Sequence, residues 1–236
     1  MSIKTADGQV FAAPEQSLDV YARLRETHAR VLELSGQFWN WPSAATLTRP
    51  SLARILHLNA LYDMILDQAG VICEFGVHYG SSSALLLNLR ALKEPFNHSR
   101  TLFAFDTFEG FVGAHGSEDG QSADGDYRVA QGYEAVLEEL LSLHESLSPN
   151  PHIRKFQVYK GDASQTVHAW LDEHPHALIA LAIFDMDIYR PTRDALEAIL
   201  PRLPVLSLKG AGGPGVCLGA GRAGRGRNAD RRLRSS

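Results

Sequence analysis

The segment CEFGVHYGSSS, residues 73–83, combines a carboxylate, glycines and serines directly after an apolar run. Glu74, Gly76 and Gly80 form an E-x-G-x-x-x-G pattern at an expected strand-to-helix turn, where Gly76 permits close backbone approach to a ligand and Gly80 a tight helix entry. A dinucleotide-binding turn has the spacing G-x-G-x-x-G and binds pyrophosphate. A carboxylate here instead favours a cation such as S-adenosylmethionine, which has an ammonium, a sulfonium and no phosphate. The alternative is a simple tight turn.

Two later strand-like runs also end in a carboxylate. TLFAFDTFEGF ends its apolar part at Asp106, and KFQVYKGDASQTV places Asp162 just beyond its own. A carboxylate at the end of the second strand of such a sheet commonly binds ribose hydroxyls. Asp162 is placed to meet an adenine amino group, to cap the following helix, or to do both.

The fourth run, AIFDMDIYRPT, ends in Asp185 and Asp187, which are two residues apart. Carboxylate oxygens are the ligands that Mg²⁺ prefers, and the ion usually retains several waters. We therefore predict that Asp185 and Asp187 bind Mg²⁺ beside the methyl group of the cofactor. The alternative is an ordinary turn with a cap for the next helix.

The elements that must position these residues alternate along the chain. Strand-like runs occupy 71–77, 101–105, 155–159 and 178–184, and helix-like runs occupy 81–92, 131–147, 163–173 and 192–200. Strands that are apolar on both faces and separated by helices indicate a parallel sheet covered on both sides. The sequence thus predicts an α/β fold with a Rossmann-like doubly wound sheet.

Three regions are predicted. Residues 1–46 form an N-terminal helical extension whose first 16 residues are disordered or loosely attached, and residues 47–203 form a core that binds S-adenosylmethionine. Residues 204–236 form a Gly/Arg-rich tail that is disordered or altered in reading frame and has no convincing strand after VLSL. Apolar spacing indicates one helix from Ser17 to Gly36 and another from about Ser51 to Asp67. The predicted apolar face of the second helix consists of Leu52, Ile55, Leu56, Tyr62, Ile65 and Leu66. The Gly- and Asp-rich loop 112–130 is either a flexible surface loop or a lid over substrate.

Composition, net charge and cysteine content exclude several classes of protein. Hydrophobic residues make up 44% of the 236 residues and charged residues 21%, which suffices for a substantial core. The formal net charge of −4 gives no general attraction to nucleic acid or anionic lipid. The two cysteines support neither a disulfide framework nor a cysteine zinc site. We expect a cytoplasmic protein with no nucleic-acid or membrane partner.

Four segments together resemble the macrocin O-methyltransferase type, a family of class I S-adenosylmethionine enzymes that methylate sugar hydroxyls in antibiotic biosynthesis. They are ICEFGVHYGSSSALL, FAFDTFEGF, KGDASQTV and FDMDIYRPTRDALEAILPRL, within roughly residues 46–203. The resemblance implies Mg²⁺-dependent transfer to a sugar hydroxyl, and N-terminal helices that cover the cofactor and build homo-oligomers. It also implies an acidic pair after the fifth strand, and the segment SLKGAGGPGVCLGAG contains none.

Carried over by position, the family's cofactor contacts fall on the acidic and glycine residues above and on their neighbours: Glu74, Gly76, Gly80, Ser81, Asp106, Thr107, Asp162, Ala163 and Thr48. Asp185 and Asp187 are the candidate catalytic residues and metal ligands, with Asp187 as ligand or general base. His78 and His115 are reserve candidates for the base.

The sequence leaves three interpretations of function open. The first is an O-methyltransferase acting on a sugar hydroxyl of a TDP-deoxysugar or an antibiotic glycoside in natural-product biosynthesis. The second is a catechol-type small-molecule O-methyltransferase, which would use aromatic pocket walls. The third is a non-catalytic S-adenosylmethionine-binding or scaffold protein, which the atypical tail favours.

Overall fold

The structure is a computed structural model that describes residues 2–4, 10–12, 18–116, 118–120, 122–203, 207–210 and 216–219. Its helices are α1 (Leu18–Ser35), α2 (Arg49–Ile65), α3 (Ser81–Lys93), α4 (Tyr133–Ser146), α5 (Ala163–Glu173) and α6 (Tyr189–Ile199). Its strands are β1 (Ser2–Lys4), β2 (Val10–Ala12), β3 (Val71–Phe75), β4 (Leu102–Asp106), β5 (Phe156–Lys160), β6 (Ile179–Phe184), β7 (Ser207–Gly210) and β8 (Val216–Gly219). None of the helices in these ranges is long and apolar enough to cross a membrane.

The central sheet has the strand order β5-β4-β3-β6-β8-β7. The first four of these strands are parallel, whereas β8 pairs antiparallel with β6 and β7 antiparallel with β8. The chain runs outward from β3 to β5 and then returns to the other side of β3, so the strand order reverses between β3 and β6. Ligands of open α/β sheets bind in the crevice at such a reversal. The predicted Rossmann-like α/β class is confirmed.

Helices cover both faces of the sheet and divide the core into two layers. On one face, α2, α3 and α4 pack through Leu58, Leu86 and Leu137. On the other face, α5 and α6 pack through Trp170 and Ile199. Because side chains alternate along a strand, Ile72 and Glu74 of β3 face the first layer and the neighbouring Cys73 and Phe75 face the second.

A ladder of aromatic rings crosses the four parallel strands at their carboxyl ends. The ring centroids of Tyr159 and Phe105 are 5.0 Å apart, those of Phe105 and Phe75 4.7 Å, and those of Phe75 and Phe184 4.6 Å. These residues are also partners in the strand register. The ladder therefore fixes the level at which all four strands end.

Helix α2 differs from the prediction in the face that it buries. Leu52 and Leu56 were expected in the apolar stripe, but both are exposed. The buried stripe is Leu58, Leu61, Tyr62 and Ile65, at the i, i+3, i+4, i+7 spacing of one helix face. Arg54 lies one turn before Leu58 on this same stripe, which directs it toward the sheet.

The ends of the chain also differ from expectation where they are described. In the predicted loose segment 1–16, β1 and β2 pair antiparallel. In the predicted tail 204–236, no convincing strand was expected after VLSL, yet β8 pairs with β6. The run Val216–Leu218 is apolar and short, which suits a strand that covers the edge of β6. The remaining residues of both segments lie outside the described part of the chain.

A buried ion cluster joins α3, α4 and the start of β5 at the edge of the sheet opposite the strand ends. Glu145 accepts from Arg90 Nη2 over 2.5 Å and lies 3.2 Å from Lys155 Nζ. Arg90, Lys155 and Glu145 are all buried. One carboxylate therefore compensates two buried cations, and its loss would leave both without a counterion.

We predict that Glu145→Gln lowers the free energy of unfolding by about 3 kcal/mol or more, because breaking a buried pair leaves an uncompensated charge. Urea unfolding followed by circular dichroism measures the change. The control is Glu138→Gln, which removes an exposed carboxylate 3.0 Å from Arg154 and should cost less than about 1 kcal/mol. Equal losses in the two variants would contradict the assigned role of Glu145.

Candidate active site

A cavity of about 280 Å³ opens at the carboxyl ends of the four parallel strands. Its walls come from the turn after β3, the ends of β4, β5 and β6, the loop after β4 and one side chain of α2. The lining residues are Arg54, Gly76, His78, Phe105, Asp106, Thr107, Gly110, Phe111, Val112, Tyr127, Gly161, Asp162, Ala163, Asp185, Met186, Asp187, Ile188 and Pro191. Several predicted site residues are thus brought together at one crevice.

The glycines of the first turn are required for two different reasons. Gly76 has a φ of +88°, and a Cβ at this position would lie 2.5 Å from the backbone oxygen of Asp185. The turn after β3 can therefore lie against the end of β6 only without a side chain at residue 76. Gly80 has a φ of +75°, and a Cβ there would collide with Leu137 of α4. Gly80 thus serves helix packing, and it is not among the lining residues.

Glu74 lies beneath the cavity floor rather than in its wall. It is 1% exposed and accepts a hydrogen bond from the Ser83 hydroxyl in the first turn of α3. Burial raises the pKa of Glu74 to about 8, opposed by the Ser83 hydrogen bond and reinforced by Asp185. The carboxyl group is consequently protonated near neutral pH, and a cation bound beside it would favour its ionised form.

Asp106 fastens the turn after β3 to the end of β4. Its Oδ2 accepts from the backbone N–H groups of Val77 at 2.6 Å and His78 at 2.7 Å, and its Oδ1 accepts from that of Phe108 at 2.7 Å. A carboxylate has about four lone-pair positions, so one remains for a ribose hydroxyl. The cofactor role predicted for Asp106 is compatible with this second, structural role.

Asp162 caps the N-terminus of α5, which is one of the two roles predicted for it. Its Oδ1 accepts from the backbone N–H of Ser164 at 2.9 Å and from the Ser164 hydroxyl at 2.8 Å. Asp162 and Ala163 also line the cavity, which leaves the adenine role possible. Thr107 lines the cavity too, while its hydroxyl donates to the Gly110 carbonyl over 2.6 Å.

Asp185 is paired with Arg54, a residue that the sequence analysis missed. Arg54 Nη2 lies 2.7 Å from Asp185 Oδ2, and Nη1 donates to the Ser82 hydroxyl over 2.5 Å. Asp187 lies at the rim of the cavity and is exposed. Partial desolvation and then the charge of Asp185 raise the pKa of Asp187 above its usual value. The sequence did contain a signal for Arg54. Arg54 lies one turn before the buried stripe of α2, and a charged side chain on that face of a helix must reach a polar site.

An aromatic wall faces the acidic end of β6. The rings of His78 and Tyr127 meet edge to face at 6.1 Å, and Phe111 lies 5.1 Å from Tyr127. Burial lowers the pKa of His78, which keeps its imidazole neutral at physiological pH. His115 is exposed and lies outside the cavity lining. Of the two reserve bases, only His78 is near the candidate site.

The loop predicted as a possible lid supplies part of this wall and is tied to α6. Phe111, Val112 and Tyr127 line the cavity. Asp119 Oδ1 accepts from the backbone N–H of Tyr189 over 2.6 Å, and Glu118 pairs with Arg190 at 3.0 Å. The loop therefore covers the crevice and caps the helix that follows Asp187.

Thr48 and Ser81 are not brought into the cavity with the other predicted residues. The Thr48 hydroxyl caps α2 by accepting from the backbone N–H of Ser51 at 3.3 Å. Thr48 lines a separate opening of about 610 Å³ between α1 and α2. Ser81 is exposed at the start of α3. The resemblance places both residues near the cofactor, and for each of them that role remains a prediction.

The residues present fit the two predicted groups to different degrees. For S-adenosylmethionine, the crevice offers close approach to the backbone at Gly76, carboxylates for the cationic groups and Asp106 for the ribose hydroxyls. For Mg²⁺, the carboxylates that the described residues offer at the end of β6 are those of Asp185 and Asp187. Among the described residues no group of three or more His, Cys, Asp or Glu side chains is arranged to hold a metal. This donor set fits an ion that is otherwise bound by water and substrate.

Comparison with known proteins gives a clear structural relationship. No family model matches the chain, and no curated protein matches it. The solved structure described as CalS11, calicheamicin methyltransferase, is 29% identical, covers 89% of this chain and 94% of its own, and has a TM-score of 0.80. The apo structure of CalS11, described as TDP-rhamnose 3'-O-methyltransferase in calicheamicin biosynthesis, is 27% identical, covers 89% and 96%, and has a TM-score of 0.72.

The predicted resemblance to class I sugar O-methyltransferases is confirmed. The predictions of an S-adenosylmethionine-dependent O-methyltransferase, and of S-adenosylmethionine as its cofactor, are confirmed with it. The roles of individual site residues remain predictions.

We predict that the stability of the protein depends on the protonation of Glu74. Because the folded pKa of about 8 lies above the unfolded value of 4.5, the neutral carboxyl stabilises the fold fully at low pH. This contribution decreases as pH rises between these two values, by at most about 1.4 kcal/mol per pH unit. Urea unfolding from pH 5 to pH 8 should show the decrease in the wild type.

Glu74→Gln keeps the shape and an acceptor for Ser83 but cannot ionise, so its stability should decline less steeply over the same range. The exposed Glu109→Gln serves as control and should retain the wild-type slope. A Glu74→Gln slope equal to that of the wild type would show that Glu74 is ionised throughout.

Proposed function

We propose that this protein transfers a methyl group from S-adenosylmethionine to a hydroxyl group of a deoxysugar, either linked to TDP or carried by a glycoside, in natural-product biosynthesis. The observation that supports the proposal best is the pairing of an acidic strand end, Asp185 and Asp187, with a crevice of the class I methyltransferase type. The described relative acts on TDP-rhamnose at its 3' hydroxyl, which makes a nucleotide-linked deoxysugar the first acceptor to test.

The chain's own residues have distinct tasks in this reaction. When bound, S-adenosylmethionine would supply an electrophilic methyl group on a positively charged sulfur. Gly76 and Asp106 form the part of the crevice that binds the methyl donor. Asp187 takes the proton of the acceptor hydroxyl at a carboxylate oxygen, and its raised pKa makes it a stronger base than an ordinary aspartate. Tyr127 and Phe111 exclude water from the acceptor side.

We include Mg²⁺ in the proposal, bound by Asp185, with Asp187 as a second ligand where it does not act as the general base. When bound, it would lower the pKa of the acceptor hydroxyl and orient it. Arg54 holds Asp185 Oδ2 at 2.7 Å, so the ion must compete with a guanidinium for this ligand.

The homo-oligomer and the cytoplasmic location implied by the sequence are part of the same proposal. Helix α1 contains no buried residue, and the segment after it exposes Phe38, Trp39 and Trp41. Large aromatic side chains are common at protein–protein interfaces. A second copy of the chain is the partner that this surface suits. The boundaries at residues 46 and 203 remain the proposed limits of the catalytic core.

The acceptor class can be tested with three kinds of acceptor: TDP-rhamnose, catechol and a panel of rhamnosyl glycosides. Each assay contains S-adenosylmethionine and Mg²⁺ and measures the S-adenosylhomocysteine that is formed. We expect turnover with TDP-rhamnose and none with catechol, because the solved relative is described as a TDP-rhamnose 3'-O-methyltransferase. The aromatic wall of Phe111 and Tyr127 is the observation that favours the catechol-type alternative. Turnover with catechol alone would support the catechol-type alternative. Binding of S-adenosylmethionine without turnover of either acceptor, or of a panel of rhamnosyl glycosides, would support the non-catalytic alternative.

Asp185→Asn should lower turnover at least about 100-fold while S-adenosylhomocysteine still binds, since an amide is a poor ligand and cannot hold the charge. Turnover and calorimetry on the same preparation separate the two effects. Asp194→Asn, on the exposed surface of α6, is the matched control and should match the wild type. Unchanged turnover in Asp185→Asn would remove this residue, and the ion it binds, from the mechanism.

A further inference from the structure

Arg54 is the only arginine or lysine among the described residues that line the cavity. Four carboxylates line the same cavity, those of Asp106, Asp162, Asp185 and Asp187. A ligand with an anionic group therefore has one place in this crevice where that group meets a positive charge. The side chain of Arg54 is 46% exposed and that of Asp185 27%, so a ligand can reach the pair.

We propose that Arg54 binds the α-carboxylate of the methyl donor and thereby releases Asp185 to a divalent cation. The inference rests on the proposed function, because it takes S-adenosylmethionine as the donor. The donor carries a single anionic group, its carboxylate, and three of the four lining acids would repel that group without compensation. The planar fork of a guanidinium suits two-point binding of a carboxylate.

The surroundings of Arg54 suit an incoming carboxylate. Arg54 Nη1 donates to the Ser82 hydroxyl over 2.5 Å, and a hydroxyl that accepts one hydrogen bond can also donate one. Ser82 is 2% exposed and lies in the first turn of α3, whose N-terminal end carries a partial positive charge. A carboxylate bound to Arg54 at this place would interact with the guanidinium, with the Ser82 hydroxyl and with the positive N-terminal end of α3.

Exchange of one carboxylate for another at Arg54 costs little. Partly exposed ion pairs contribute only about 0–1 kcal/mol, so the Arg54–Asp185 pair is easily replaced. The guanidinium has an anionic partner before and after the exchange. Asp185 has a cationic partner before it and requires a new one afterwards, which a divalent cation supplies. The donor and the cation therefore strengthen each other's binding, and the coupling is reciprocal.

The test measures binding rather than turnover. Mn²⁺, which prefers the same oxygen ligands as Mg²⁺, is titrated into the full-length protein while electron paramagnetic resonance follows the free ion. The titration is done alone, with S-adenosylhomocysteine, and with methylthioadenosine, which lacks the amino-acid carboxylate. We expect S-adenosylhomocysteine to tighten Mn²⁺ binding at least about 5-fold and methylthioadenosine to leave it unchanged.

Arg54→Met separates the two parts of the inference. It should bind Mn²⁺ without any nucleoside as tightly as the wild type does with S-adenosylhomocysteine. Its affinity for S-adenosylhomocysteine should fall about 10-fold or more, with no change for methylthioadenosine. Arg54→Lys keeps the charge and should lose less affinity than Arg54→Met. The control, Arg154→Met, removes an exposed arginine that pairs with Glu138 at 3.0 Å, and should match the wild type.

Several outcomes would overturn the inference. Equal affinity of the wild type and Arg54→Met for S-adenosylhomocysteine would do so, and so would equal weakening for S-adenosylhomocysteine and methylthioadenosine. If Arg54→Met loses affinity for TDP alone, the anion bound by Arg54 belongs to the acceptor instead. A wild-type protein that binds no S-adenosylhomocysteine would contradict the proposed function itself, whereas the preceding outcomes leave that function intact.

Discussion

The candidate site depends on the alignment of four parallel strand ends at one level. The register pairs Phe75 with Phe105 and with Phe184, and it pairs Phe105 with Tyr159. The stacking of the same rings holds that alignment from below. Asp106 and Asp185 each follow an aromatic rung, so both carboxyl groups emerge at the cavity. A slip of one residue would turn every side chain of a strand to the opposite face and disperse these groups.

The second constraint is the placement of α2, which brings the positively charged side chain of Arg54 to a crevice lined by carboxylates. The buried Arg100 side chain donates to the carbonyl groups of Ile65, Gln68 and Gly70, and so fixes the C-terminal end of α2 beside the start of the sheet. Arg54 lies about 16 Å farther along the helix axis, at 1.5 Å per residue. This distance is roughly the length of a five-residue strand, so Arg54 reaches the opposite edge, where Asp185 lies.

The sequence predicted the sheet and its helices well because each element carries its own local pattern. The predicted and observed bounds of α5 agree, and those of β6 differ by one residue. Contacts between distant residues were less accessible. Arg54 and Asp185 are 131 positions apart, and the face of α2 was misjudged because Leu52 and Leu56 are apolar but exposed. The packing role of Gly80 depends on Leu137 of α4, which no local pattern reveals.

The acids of the site differ in function because their surroundings differ, although their residue types are alike. Asp106 receives three backbone N–H groups and holds the turn after β3 in place before any ligand arrives. Among the described residues, the donor to Glu74 is the Ser83 hydroxyl, and burial raises the pKa of Glu74 to about 8, so this carboxyl is neutral near pH 7. Asp185 is only partly buried, and its carboxylate pairs with the guanidinium of Arg54 on α2 in a pair that is easily exchanged. It follows that a ligand which changes the charge balance of this crevice acts first on Asp185, whereas Asp106 and Glu74 preserve the shape into which that ligand binds.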